Sequence, residues 1–87
     1  MNPYSEIKEK EYAIRTFSQD LDENELKWHR DREDRIVVPM HETDWLFQRE
    51  NHLPEAIKDK ILIKEGEWHR ILKGTGDLTV KIFKNCI

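Results

Sequence analysis

Eighty-seven residues are enough for one small domain with a thin core, not for two. Charged residues make up 38 % of the chain and apolar residues 37 %, yet three Trp, three Phe and two Tyr argue against disorder. Fifteen Lys and Arg are interspersed with 18 Asp and Glu, for a net charge of −3, so there is no basic stripe to attract a nucleic acid.

In chain order, residues 1–10 are polar with alternating charge and read as an N-terminal arm, with the domain proper at 11–87. Residues 11–18 carry aromatic and β-branched side chains, with Tyr12, Ile14 and Thr16 on one face and Ala13 and Phe17 off it, which predicts a strand. Residues 19–24 are a loop by composition. Residues 25–31 read as a strand. Alternation then puts Leu26 and Trp28 on one face and Lys27, His29 and Asp31 on the other.

After a charged turn at 32–34, residues 35–40 contain the β-branched run Ile36-Val37-Val38. That strand must end, or lie at an edge, at Pro39, which has no N–H to donate. Residues 44–49 are the next strand, with Trp45 and Phe47 on one face, expected to pack in the core. Residues 50–52 form a turn, and Pro54 excludes a helix interior nearby. Short strands follow at 60–63, 68–72 and 78–83. They are separated by turns at 64–67, where Gly66 is placed to take a positive φ, and at 73–77. Strands with turn signals at roughly ten-residue spacing predict an all-β sandwich or barrel.

The tripeptide Trp-His-Arg occurs twice, at 28–30 and 68–70, in a chain poor in both Trp and His. If His29 and His69 point into a pocket, Trp28 and Trp68 point away and need a cover. The cover would be the N-terminal strand or a second subunit. His29 and Asp31 share a strand face, and His69 would join them from a distant strand. Two imidazoles and one carboxylate are the donor set of a non-haem iron facial triad, and they also suit Mn, Ni or Zn in an open three-ligand site. A solvated His–Asp pair beside a core histidine is the plain alternative. Glu67 shares a face with His69 and is open between a further ligand, a general base and a solvated turn residue. His41 and His52 fall in turns and read as surface residues.

Residues 59–69 resemble the second motif of the cupin family. Asp59, Ile63, Gly66 and His69 stand at the family's spacing, with Lys58 where Gly is usual and Lys64 where Pro is usual. The first cupin motif, His-x-His followed by Glu, is matched loosely. His29 takes its first position and Asp31 its second, and Arg35 falls nearest the Glu position. The resemblance spans residues 11–83. It implies a small antiparallel, jelly-roll-like β-barrel with a pocket for a metal or small ligand, often as a homodimer, and implies no particular reaction. His29, Asp31 and His69 would hold a divalent metal (Fe, Mn, Ni or Zn). Arg35 would repel that cation if it points inward. It would otherwise meet a small anionic ligand, with Arg70 as a second contact, or pair with Asp31 or Asp34. A non-catalytic, metal-free dimeric module is the alternative.

No apolar run approaches transmembrane length, and Met1-Asn2-Pro3-Tyr4-Ser5-Glu6 has neither an apolar core nor a cleavage site. The one cysteine, Cys86, reads as an inert thiol and fits a reducing compartment. The expectation is a soluble, cytoplasmic protein with no membrane or nucleic-acid partner.

Overall fold

The computed structural model describes residues 3–84, so Cys86 lies outside the described residues. Among the described residues eight strands run in chain order: β1 (Ser5–Lys8), β2 (Ala13–Phe17), β3 (Arg35–Pro39), β4 (Leu46–Arg49), β5 (Glu55–Ala56), β6 (Ile61–Ile63), β7 (His69–Leu72) and β8 (Leu78–Lys84). They form two antiparallel sheets, one ordered β1-β2-β8-β3-β6 and the other β5-β4-β7. The all-β expectation holds. Ser5–Lys8, within the segment read as an arm, pairs with β2 as the edge strand of the larger sheet.

β8 shows why these residues make strands. Leu78, Val80 and Ile82 are 1 %, 2 % and 4 % exposed, while Thr79, Lys81 and Phe83 lie on the other face, the period-two alternation of a half-buried strand. Fully burying one such aliphatic side chain stabilises the fold by about 1.5–3 kcal/mol. β8 lies between β2 and β3, so both of its edges are hydrogen-bonded. β3 closes at Pro39, beyond the reach of β6, which pairs only with Arg35, Ile36 and Val37.

The core joins these side chains to Leu21, Phe47, Ile57, Ile61, Ile63 and Trp45. Trp45 is fully buried, and its indole N–H donates to the Gly76 carbonyl at 3.0 Å, so its one polar atom is satisfied. The turn before β8 needs two glycines for different reasons. Gly76 has φ +70°, whereas a Cβ on Gly74 would stand 2.7 Å from the Trp45 backbone N.

The expected strand over 25–31 does not form. Asp22 caps a single 3-10 turn at Glu23–Glu25, its carboxylate accepting the Asn24 N–H at 2.9 Å. Only His29 then pairs with β7, through an isolated bridge to His69.

Candidate metal centre and cavity

The bridge is a hydrogen-bonded antiparallel pair. The His29 N–H donates to the His69 carbonyl at 3.0 Å and the His69 N–H returns a bond to the His29 carbonyl at 2.9 Å. Both side chains therefore leave on the same face, and their ring centroids are 4.2 Å apart. Antiparallel pairing of 29 with 69 also sets 28 opposite 70 and 30 opposite 68. The Arg70 guanidinium lies 4.6 Å from the Trp28 ring centroid, and that of Arg30 lies 5.1 Å from Trp68. The doubled Trp-His-Arg is thus two copies of one ladder step meeting head to tail, with histidines on one face and Trp–Arg pairs on the other. The Trp side chains point outward as expected, and arginines cover them.

Each imidazole is fixed in the same way. His29 Nδ1 is 3.0 Å from the Lys27 carbonyl and His69 Nδ1 is 2.7 Å from the Glu67 carbonyl. A carbonyl only accepts, so each Nδ1 carries the proton, and the neutral ring presents a lone pair at Nε2. Burial pulls the His69 pKa below its ordinary value. The bond to the Glu67 carbonyl and the Asp31 charge oppose that pull in part, while a proton on His29, when present, and the Arg35 charge add to it.

Asp31 comes from the loop before β3. Two backbone-directed bonds hold that loop against the turn before β7: the Gly66 N–H donates to the Asp31 carbonyl at 2.9 Å, and the Glu65 N–H to Asp34 Oδ1 at 2.7 Å. Gly66 takes φ +80°, as its place in the motif requires. Asp31 Oδ1 lies 3.3 Å from Arg35 Nη1, and Oδ2 lies 3.4 Å from His69 Nε2. Among the described residues, Oδ2 is buried with no hydrogen-bond partner. With His69 neutral, Oδ2 and Nε2 face each other as two acceptors with no proton between them, an arrangement that a cation resolves. The donor atoms of His29, Asp31 and His69 all lie within 4.8 Å of one another. The residues present therefore fit a divalent metal.

These groups line a cavity of about 340 Å³ whose other walls are mostly apolar, among them Phe17, Val37, Phe47, Ile71 and Val80. The Phe47 ring stacks on His69 with centroids 5.6 Å apart. Arg35 also faces the cavity. Its Nε donates to Glu33 Oε2 at 2.9 Å, and Asp34 is not its partner.

Two residues named from the sequence are not brought into the cavity lining. Glu67 pairs with Arg49 at 2.6 Å, and only its backbone carbonyl serves the site, through His69. Arg70 donates to Gln48 at 2.9 Å and covers Trp28 on the outer face. His41 and His52 are exposed, and the Thr79 N–H donates to His41 Nε2 at 3.0 Å. Sequence reasoning missed Arg15, which lines the cavity at 9 % exposure. Its parity with Ala13 and Phe17 was the available signal.

No family model and no curated protein matches the chain. Solved structures do. The chain is similar to a cupin-2 domain containing protein from Shewanella frigidimarina, with 17 % identity and a TM-score of 0.61 over 91 % of this chain and 76 % of that one. It is similar also to a cupin domain from Bordetella pertussis, with 17 % identity and a TM-score of 0.56 over 93 % and 90 %. The chain has the cupin fold. The fold expected from residues 59–69 is borne out. The structure of FeII HppE is similar at 11 % identity and a TM-score of 0.62, over 84 % of this chain but 41 % of that one. Among the described residues, no helix is long and apolar enough to cross a membrane.

Proposed function

We propose that this chain is a small cupin-fold protein that holds a divalent metal through His29, Asp31 and His69 and admits a small anionic molecule to the adjoining cavity. The observation that carries the reading is Asp31 Oδ2, a buried acceptor without a donor, facing the lone pair of His69. Fe, Mn, Ni and Zn all suit two imidazoles and a carboxylate, and the likeness to FeII HppE favours iron among them. A metal there supplies Lewis acidity to a bound ligand oxygen. The protein's own part is to fix both Nε2 atoms through the Nδ1 bonds, to wall the buried His69 side of the site with Phe47 and aliphatic side chains, and to place a guanidinium beside the carboxylate. Glu67 and Arg70 take no part, being engaged with Arg49 and with Gln48 and Trp28.

The test is metal content after supplementation with Fe, Mn, Ni and Zn in turn, with His69→Ala as control. Stoichiometric metal in the wild type and its loss in the variant support the reading. A wild type that stays empty under all four overturns it.

A second reading, a metal-free dimeric module, is favoured by Arg35, whose Nη1 already sets a positive charge 3.3 Å from Asp31. Ile7 on β1 and Leu62 on β6 are 63 % and 39 % exposed, leaving apolar side chains on both edge strands of the larger sheet. This reading expects a dimer by sedimentation, and no change in oligomeric state or ligand affinity in His69→Ala. Under either reading the protein acts as a soluble cytoplasmic one.

A further inference from the structure

β2 turns Ala13, Arg15 and Phe17 toward the barrel interior, so Arg15 stands in a row whose other members are apolar. A charge there is costly unless something meets it. Its Nε donates to Glu6 Oε1 at 2.6 Å from the directly opposite position on β1, and its guanidinium lies 4.2 Å from the Tyr4 ring centroid. Among the described residues neither Nη makes a hydrogen bond, and neither is sealed off as Asp31 Oδ2 is. Arg15 lines the same cavity as the histidines. Arg35, by contrast, is held by Glu33 at Nε and by Asp31 at Nη1, and Arg70 stands outside.

We propose that Arg15 is the anion anchor of this cavity and that the molecule it takes is a monocarboxylate with an apolar body. Two features choose that class. The free Nη pair is a planar fork that matches the two oxygens of a carboxylate. Most of the remaining wall is apolar, with Phe17, Val37, Leu78 and Val80 among it. An apolar body therefore matches it better than a sugar or other polyol, whose many hydroxyls would find few partners away from the polar end at His29, Asp31 and His69. The cavity lies at the small end of the usual ligand range of roughly 300–1,000 Å³, which suits a body of medium length. The proposal shares with the proposed function the premise that the cavity takes a ligand, and it does not require the metal.

The experiment titrates chelator-treated protein with hexanoate, octanoate and benzoate, and with hexan-1-ol as the uncharged control, by calorimetry. The expected result is hexanoate binding at least about tenfold tighter than hexan-1-ol, the size of a charge-assisted pair. Arg15→Gln should abolish that preference, and Arg15→Lys should keep part of it. Because Arg15→Gln leaves Glu6 without its partner, the paired change Glu6→Gln with Arg15→Gln serves as the folding control and should also show no preference. The inference is overturned if folded wild type binds none of the three carboxylates. It is overturned equally if alcohol and acid bind alike, or if the preference survives in Arg15→Gln. A protein that prefers hexanoate yet takes up no metal sinks the metal reading alone. One that loads metal without the preference sinks this inference alone.

Discussion

His29 and His69 are joined by two reciprocal backbone hydrogen bonds, and each imidazole donates from Nδ1 to the carbonyl two residues before it. The site therefore has a local two-fold character built from one repeated tripeptide. The backbone bridge sets the spacing of the rings, and the Nδ1 bonds set their rotation. Asp31, delivered from outside this bridge, breaks the symmetry and brings the charge.

Asp31→Asn separates a metal site from a structural pair. In metal-free protein the asparagine keeps an acceptor toward Arg35 and offers an N–H to the His69 lone pair, replacing two facing acceptors with a hydrogen bond. Arg35 retains Glu33. The expected outcome in chelator is a melting temperature unchanged or raised, with a stability change within about 1 kcal/mol of zero or in favour of the variant. Metal affinity should fall at least about tenfold. Denaturant melts in chelator and a Co(II) titration measure the two effects. A variant that is destabilised in chelator but binds Co(II) as tightly as wild type assigns Asp31 to structure alone.

The cupin fold was legible because its second motif is local. Gly66 needs a positive φ and His69 follows it on the next strand, all within one turn and its flanks. The first half of the site was legible by parity alone. Alternation put His29 and Asp31 together, and that outcome held even though residues 25–31 form no regular strand. What alternation cannot see is competition from local side-chain bonds, here the Asp22 cap that winds residues 23–25 into a 3-10 turn. The partners of Glu67 and Arg70 were illegible for another reason. Parity assigns a face, and only the three-dimensional neighbours, Arg49 for one and Gln48 with Trp28 for the other, decide what each group touches.

The Glu6–Arg15 pair gives the fold an acid limit. The bond from Arg15, with its charge, holds the Glu6 carboxyl below its ordinary value of 4.5, against a smaller opposing effect of burial. A carboxyl with a lowered folded pKa contributes stability that is present above the unfolded value and is lost as pH falls through the folded one. Unfolding midpoints in urea should therefore drop as pH is lowered below 4.5, and the Glu6→Gln variant should show a shallower drop over that window. Identical slopes for the two proteins would show that the pair does not tie folding to pH.

Gly74 and Gly76 should respond differently to alanine. A Cβ at Gly74 meets backbone, 2.7 Å from Trp45 N and 2.8 Å from the Asp44 carbonyl carbon, so the turn must move away from the buried indole. A Cβ at Gly76 meets nothing within 4 Å and costs only the strain of its φ of +70°. Gly74→Ala is expected to cost about 1–3 kcal/mol and Gly76→Ala about 1 kcal/mol. Thermal unfolding of the two variants should place Gly74→Ala lower. The reverse order would mean that the Asp44–Trp45 segment yields more easily than the turn.

The Trp–Arg pairs test whether the repeated tripeptide works as a crossed clasp. Opposite residues, not sequence neighbours, are in contact: Trp28 with Arg70, and Trp68 with Arg30. A double-mutant cycle on Trp28→Ala and Arg70→Ala should return a coupling of about 0.5–1 kcal/mol, as should the cycle on Trp68 and Arg30. The cycle on Trp28 and Arg30, within one tripeptide, should return a coupling near zero, since their side chains meet no common partner in this arrangement. The indoles are 39 % and 37 % exposed, so the couplings belong at the modest end for cation–π pairs and should persist in salt better than an ion pair would. If the within-tripeptide cycle carries the larger coupling, the bridge register is wrong. His29 would then no longer stand opposite His69, and the three-ligand cluster would lose its geometric basis. Because the clasp fixes the register that brings the rings together, breaking either crossed pair should also weaken Co(II) binding, although neither pair touches the metal position.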